Sequence, residues 1–170
     1  MLFTEGYKEQ QEELHKDSNY GVKGIQFLGP INMCISAYKC ESVLDYGCGP
    51  HKRLEKHIEV KYTPYDIVPP FNHDPVPHDL VVVADVLEHI EPECISDVLD
   101  HIASLTKKAA FLSVHESEAK KTLPDGRNAH LIQMPMEMWF MPISQRFDIQ
   151  MLQRVSDREF FICATSKDSG

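Results

Sequence analysis

Two glycines in the first third of the chain have the spacing of a ligand-binding turn. The stretch Ser42–Pro50 is typical of a short apolar strand that runs into a turn containing Gly47 and Gly49. Because glycine has no Cβ, the backbone can turn sharply there and a ligand can approach the main chain closely. Residues 50–58 then have helical spacing, with proline at a favoured first helical position. A strand, a glycine turn and a helix in this order would offer backbone N–H groups to a nucleotide-like ligand.

An acidic residue after the next strand strengthens this prediction. Residues 62–67 form an apolar and aromatic run with Asp66 near its far end. Asp66 follows Gly47 by about 20 residues, the spacing at which a second-strand carboxylate binds ribose hydroxyls. Residues 78–90 then supply a buried-type parallel strand, and Asp85 ends it at the carboxyl edge, where such sheets bind ligands. These patterns favour a ribose-containing ligand at that edge.

The three segments resemble class I S-adenosylmethionine (SAM)-dependent methyltransferases. The motifs are Val-Leu-Asp-Tyr-Gly-Cys-Gly, Tyr-Asp-Ile and Asp-Leu-Val-Val-Val-Ala-Asp-Val-Leu-Glu-His, and the resemblance covers roughly residues 40–166. It implies SAM as the cofactor and methyl transfer as the reaction, with the glycine turn at the methionine end and Asp66 on the ribose. Together with the position of Asp85 at the sheet edge, this gives a set of candidate cofactor-binding residues: Asp45, Gly47, Gly49, Asp66, Ile67, Asp74, Asp85 and Val86.

Three histidines are the candidates for the acceptor side of such a reaction. His115 ends a predicted strand at the same edge, His89 follows the Asp85 turn, and His130 lies in a polar loop after a glycine. Histidine is the usual base near neutral pH. For each alone a structural role is the commoner explanation, but as a group they predict the acceptor site. Glu88 fits either the pocket or a cap on the next helix, and no ligand spacing indicates a metal site.

Bulk composition narrows the class of partner. A chain of 170 residues fits one domain, and its net charge of −9 gives no basic footprint for nucleic acid. We therefore expect a small-molecule acceptor. The five cysteines are scattered without a C-x-x-C spacing, which indicates free thiols in a reducing compartment, and no apolar run has membrane-spanning length. These features predict a cytoplasmic protein without a membrane segment.

The remaining elements predict an α/β fold: a Rossmann-like, doubly wound and mostly parallel sheet closed by a C-terminal antiparallel hairpin. We divide the chain into an N-terminal helical cap segment, 1–39, and a SAM-binding domain, 40–170. The expected further elements are helices over 5–16, 30–39 and from 91 onward, a broken helix over 135–145 because of Pro142, strands over 109–115, 147–155 and 159–166, and loops over 19–24 and 116–133.

One departure from the family pattern lies after the second strand. Only residues 68–77 separate Ile67 from the strand that begins at His78, too few for a parallel crossover with its helix. We therefore expect one strand–helix unit to be missing there. In the family that region often helps to hold adenine, so Asp74 or Phe71 becomes the candidate substitute.

Two other functions remain open at this stage. A SAM-binding module without transferase activity, or a subunit that needs a partner, is favoured by the missing unit and opposed by the polar loop over 125–130. A generic nucleotide-binding fold for another ligand is disfavoured, because the glycine turn lacks the third glycine of the dinucleotide fingerprint.

Overall fold

A six-stranded sheet with the order β2-β1-β3-β4-β6-β5 forms the centre of the protein. The computed structural model describes residues 1–17 and 23–167, so the loop expected over 19–24 lies mostly outside the described residues. The first four strands pair in parallel, and β6 runs antiparallel to both β4 and β5. The expected fold class is confirmed. The strands are β1 Ser42–Tyr46, β2 Lys61–Tyr65, β3 His78–Ala84, β4 Thr106–His115, β5 Phe147–Ser156 and β6 Glu159–Ser166.

Helices cover both faces of this sheet. The α-helices are α1 Glu5–Leu14, α2 Leu28–Ala37, α3 Ile95–Leu105 and α4 Met136–Ser144. Short 3₁₀ helices span Lys23–Phe27, Glu55–His57 and Leu87–His89. Each face of the sheet has its own apolar cluster: Val81 and Val83 of β3 face one, with α3 and α4, whereas Leu80 and Val82 face the other, with α2. Burial on both faces explains why β3 reads as a continuous apolar run.

The prediction of a helix over residues 50–58 is wrong. Residues 50–54 form turns, and only the single 3₁₀ turn Glu55–His57 follows. Lys52 has φ of 43°, a left-handed conformation that interrupts a right-handed helix. Leu54 and Ile58 are nevertheless buried in the α2-side cluster, so their four-residue spacing reflects packing and not an α-helix.

The break expected in the last helix is also absent. Helix α4 continues through Pro142 to Ser144. Proline removes the hydrogen bond to the carbonyl four residues earlier, which belongs to Met138. Only two helical residues follow the proline, so the helix ends before further hydrogen bonds are affected, and Met138 itself is exposed.

The sheet is trimmed at one edge, as the short connection predicts. Strand β2 is the edge strand, and residues 66–77, all described, form neither helix nor strand before β3 begins. Pro64 within β2 fits an edge position, where a missing N–H donor is tolerated. Within the described part of the chain, no helix is both long enough and apolar enough to cross a membrane.

Helix α1 is anchored to the turn that follows β3. The Tyr7 hydroxyl donates a hydrogen bond to the His89 carbonyl at 2.7 Å. The backbone N–H and the hydroxyl of Thr4 each donate to the Glu91 carboxylate at 2.8 Å. Tyr7 and Gln11, one turn apart on α1, are buried. The N-terminal helix therefore covers the carboxyl edge of the sheet.

Candidate functional site

A cavity of about 550 Å³ lies at the carboxyl ends of β1 to β4, beneath α1. Its volume is within the range of roughly 300–1,000 Å³ of small-molecule sites. Ten of the eleven site residues expected from the sequence line it: Asp45, Gly47, Gly49, Asp66, Ile67, Asp85, Val86, His89, His115 and His130. Asp74 does not line the cavity and its side chain is exposed, so the structure separates it from the others.

The glycine turn after β1 is tied to the end of β2. Gly47 and Gly49 have φ values of 80° and 63°. A Cβ on Gly47 would lie 2.5 Å from a methyl carbon of Val86, so only glycine fits there. The N–H groups of Gly47 and Cys48 donate to the Tyr65 carbonyl at 2.8 and 3.0 Å. Because these N–H groups are already hydrogen-bonded within the protein, they are not the ligand donors expected from the sequence. At its glycines the turn offers a ligand backbone without side chains.

Asp66 holds this turn from the other side. Its carboxylate accepts hydrogen bonds from the N–H groups of Gly49 at 2.9 Å and Val68 at 3.0 Å, one on each oxygen. Burial raises the pKa of Asp66, opposed by His15 and by these backbone donors. Because each carboxylate oxygen accepts more than one hydrogen bond, Asp66 can orient the turn and still accept from a ligand hydroxyl.

Asp45 lies beneath the same turn. It is buried, and its carboxyl group accepts a hydrogen bond from the Tyr62 hydroxyl. Burial raises the pKa of Asp45 to about 7, although the Tyr62 hydrogen bond acts in the opposite direction. Near neutral pH this group is therefore close to half protonated.

The end of β3 makes a tight turn at Asp85. Its φ of 55° places a non-glycine residue in the left-handed region, which aspartate tolerates better than most residues. Ser113 of β4 fixes this geometry: its hydroxyl accepts from the Asp85 N–H at 3.0 Å and donates to the Asp85 carboxylate at 3.1 Å. The turn brings the Val86 side chain next to Gly47 and begins the segment that contains Glu88 and His89.

Three histidines meet at one part of the cavity. The ring centroid of His130 lies 4.7 Å from that of His89 and 5.1 Å from that of His115. Nδ1 of His89 bonds to the Ala129 carbonyl at 2.8 Å, and Nδ1 of His130 bonds to the Ser117 carbonyl at 2.5 Å. Strand β4, the Asp85 turn and the loop over 116–133 thus bring together the three histidines predicted for the acceptor side.

Glu88 lies behind the histidines with no exposed surface. One carboxylate oxygen, Oε1, accepts the His115 N–H at 3.0 Å, while Oε2 has no hydrogen-bond partner among the described residues. Burial and the neighbouring Asp85 raise the pKa of Glu88 well above its ordinary value. Of the two roles considered for Glu88, its position favours the pocket, since its side chain caps no helix.

Comparison with known proteins identifies the architecture. No family model matches the chain, and no curated protein matches its sequence. Solved structures do match. A 1,6-didemethyltoxoflavin-N1-methyltransferase from Burkholderia thailandensis, with bound 1,6-didemethyltoxoflavin and S-adenosylhomocysteine, superposes with a TM-score of 0.68 at 16% identity, covering 96% of this chain and 89% of that one. The chain has the class I SAM-dependent methyltransferase fold.

Two further structures share the methyltransferase fold across nearly their whole length. The N-methyltransferase NodS from Bradyrhizobium japonicum WM9, in complex with S-adenosylhomocysteine, gives a TM-score of 0.65 at 12% identity, with 95% of this chain and 99% of that chain covered. Magnesium protoporphyrin IX methyltransferase from Synechocystis PCC 6803, with bound SAM, gives 0.60 at 18% identity, with 98% and 93% covered. At these identities the likeness is one of fold.

Some residues around the cavity of this methyltransferase fold were not expected from the sequence. Tyr7, Gln11 and His15 of the N-terminal segment line it. Their spacing of four residues places them on one side of a helix, a signal that was present in the sequence. Lys120 and Lys121 also line the cavity, and their spacing in the sequence did not indicate this position.

Proposed function

We propose that this protein binds SAM in the cavity and transfers its methyl group to a small-molecule acceptor. The observation that carries the proposal is the joining, in one cavity, of the Gly47–Gly49 turn and Asp66 with a group of three histidines. The three structures described above, which share the fold, hold SAM or S-adenosylhomocysteine, and this supports the choice of cofactor.

The residues present fit the cofactor. Asp66 supplies a buried carboxylate with remaining acceptor capacity for ribose hydroxyls, and the side-chain-free turn allows close approach of a ligand to the backbone. Asp45, Asp66 and Asp85 all line the cavity. Burial raises the pKa of Asp45 and Asp66, and a cationic sulfonium and ammonium nearby would favour the ionised form of both.

Bound SAM would supply a methyl group activated by a positively charged sulfur. The protein's own part is to hold the acceptor in line with that methyl group, which contributes several kcal/mol to a rate enhancement. Helix α1 forms one wall of the cavity, with Tyr7 and Gln11 buried against it. The three histidines form the acceptor end, where an imidazole can accept the proton that a protonated nucleophile must lose, a contribution of roughly 10²–10⁴-fold.

A small acceptor fits the enclosure and the charge. The cavity is closed by α1 on one side and by part of the loop over 116–133 on another. The net charge of −9 disfavours a nucleic-acid acceptor, because nucleic-acid binding rests on basic surface. All five cysteines are free, which supports the proposal of a reducing, cytoplasmic setting.

Calorimetric titration with SAM and with S-adenosylhomocysteine tests this function. We expect both to bind with micromolar dissociation constants at one site per chain. No binding of either would contradict the proposal. Once binding is established, candidate acceptors are screened for release of S-adenosylhomocysteine, since the alternative of a SAM-binding module predicts binding with no turnover on any acceptor.

A further inference from the structure

Two of the histidines and a buried carboxylate are close enough to share an ion. One potential ligand atom from each of Glu88, His89 and His130 lies within 4.8 Å of the other two. Ligand atoms bound tetrahedrally at about 2.0–2.1 Å from a zinc ion lie roughly 3.4 Å from one another. Side-chain shifts of about 1 Å would therefore bring the three atoms to coordination distance.

The hydrogen bonds of the two imidazoles orient them as ligands. A carbonyl oxygen can only accept, so Nδ1 of His89 donates to Ala129 and Nδ1 of His130 donates to Ser117. In the neutral ring this fixes the lone pair on Nε2, the atom that can bind a metal. Metal-ligating histidines characteristically donate their other ring N–H to a carbonyl or carboxylate, which sets both tautomer and ring orientation.

Glu88 is the independent observation. Its Oε2 is buried and has no hydrogen-bond partner among the described residues, while its residue lines the cavity. A buried, unpartnered carboxylate oxygen is costly, and such groups are usually satisfied by a partner, water or an ion. A cation between Glu88 and the two histidines would remove this cost.

We propose that Glu88, His89 and His130 form a binding site for a divalent transition-metal ion of the Zn²⁺ or Co²⁺ type. Two imidazoles with one carboxylate suit such ions, whereas Mg²⁺ prefers oxygen ligands alone. Nothing in the sequence spacing indicated this site, because His130 reaches the other two only through the fold of the loop over 116–133.

Binding of the ion does not depend on the proposed function, but any role of the ion in methyl transfer rests on that function. Three protein ligands leave at least one coordination position for water or for an acceptor atom. With the ion bound, Nε2 of His89 and of His130 is occupied. His115, which is outside the ligand set, is then the histidine left to accept a proton.

The test uses the untagged 170-residue chain, treated with a chelator and dialysed. Zn²⁺ is titrated calorimetrically, Co²⁺ is titrated by its visible absorption, and Mg²⁺ serves as the comparison ion. We expect one equivalent of Zn²⁺ or Co²⁺ per chain and far weaker binding of Mg²⁺. Replacing Glu88→Gln or His130→Asn should weaken the Zn²⁺ affinity by roughly 100-fold or more, beyond what loss of a supporting hydrogen bond causes.

Matched variants separate this site from adventitious surface binding. His57→Asn and Glu93→Gln change exposed residues of the same types that do not line the cavity, and both should bind Zn²⁺ like the wild type. Circular dichroism checks the fold of each variant. Glu88→Gln keeps the side-chain volume and an oxygen for the His115 N–H, so it carries the test if His130→Asn does not fold.

The outcomes distinguish this proposal from the function above. Zn²⁺ binding that is absent in the wild type, or equal in the wild type and Glu88→Gln, overturns the metal site. SAM is titrated into the same preparations. Binding of the ion without binding of SAM would remove the proposed function and leave the metal site, and the reverse result would remove only the metal site.

Discussion

At the scale of single residues, Asp66 links the glycine turn to the proposed cofactor. Its two oxygens accept the N–H groups of Gly49 and Val68, and an asparagine can replace only one of these acceptors. We expect Asp66→Asn to weaken SAM binding at least about tenfold, which corresponds to ~1.4 kcal/mol. Calorimetry measures the change. Asp74→Asn, at an exposed acid outside the cavity, is the control and should leave the affinity unchanged.

Asp45 gives folding stability a pH dependence. Its pKa is about 7 in the folded protein because of burial, against about 3.9 in an unfolded chain. Between these values the folded state retains a proton that the unfolded state has lost, so stability falls as pH rises from about 4 to about 7. An asparagine does not ionise, so Asp45→Asn removes this fall in stability with pH. It also keeps an oxygen that can accept the Tyr62 hydroxyl.

The stability of Asp45→Asn relative to the wild type should therefore increase as pH rises. We expect Asp45→Asn to be more stable by roughly 2–4 kcal/mol at pH 8, with a much smaller difference at pH 4. Urea unfolding of the ligand-free proteins at both pH values gives the two differences. A difference of the same size at pH 4 and pH 8 would show that ionisation of Asp45 is not its cause.

The residues that lie together at the cavity, as their spacing predicts, are those whose positions follow from local chain geometry. Gly47 and Asp66 each end a short strand, and neighbouring parallel strands bring their ends together. The grouping of Glu88 with His130 depends instead on a loop that has no regular pattern. Asp74 was misplaced for the same reason, because the segment after β2 is loop and spacing does not predict its direction.

At the scale of elements, α1 is the part of the site that the sequence described least. The sequence predicted a helix over 5–16 and no site residue on it, yet Tyr7 and Gln11 are buried against the cavity. Few apolar residues mark this helix, because polar contacts hold it in place: Thr4 to Glu91, and Tyr7 to the His89 carbonyl. Hydropathy patterns cannot detect such an attachment.

This attachment predicts how α1 opens. Thr4 caps α1 and donates to Glu91, so Thr4→Ala removes two stabilising contacts. We expect α1 to lose about 1–2 kcal/mol of local stability, with faster hydrogen exchange of its amides and several-fold faster SAM release. Ser104→Ala, at an exposed hydroxyl in the last turn of α3, is the control. Unchanged exchange in α1 would show that its packing alone holds the helix.

At the scale of the whole molecule, the sheet order confirms the expectation of a Rossmann-like fold with one unit missing. β2 forms the open edge, and the ligand edge of the sheet is closed by α1 and the loop over 116–133. Parallel strands that are buried on both faces made the sequence informative here, since their apolar runs and glycine turns recur in order. By contrast, local spacing predicted a helix over residues 50–58 that does not form, because Lys52 has a left-handed backbone conformation.

A ligand that contacts the ends of several strands should stabilise the whole fold. If SAM binds as proposed, a concentration of 100 times its dissociation constant adds about 2.7 kcal/mol to the free energy of unfolding. For a chain of this size that should raise the unfolding midpoint by about 5–10 °C, and S-adenosylhomocysteine should do the same at the same ratio. Scanning calorimetry measures the shift. Methionine alone lacks the ribose that Asp66 would hold and should give almost none. An equal shift with methionine would show that the ribose and Asp66 contribute little to binding. That result would contradict the cofactor site proposed here.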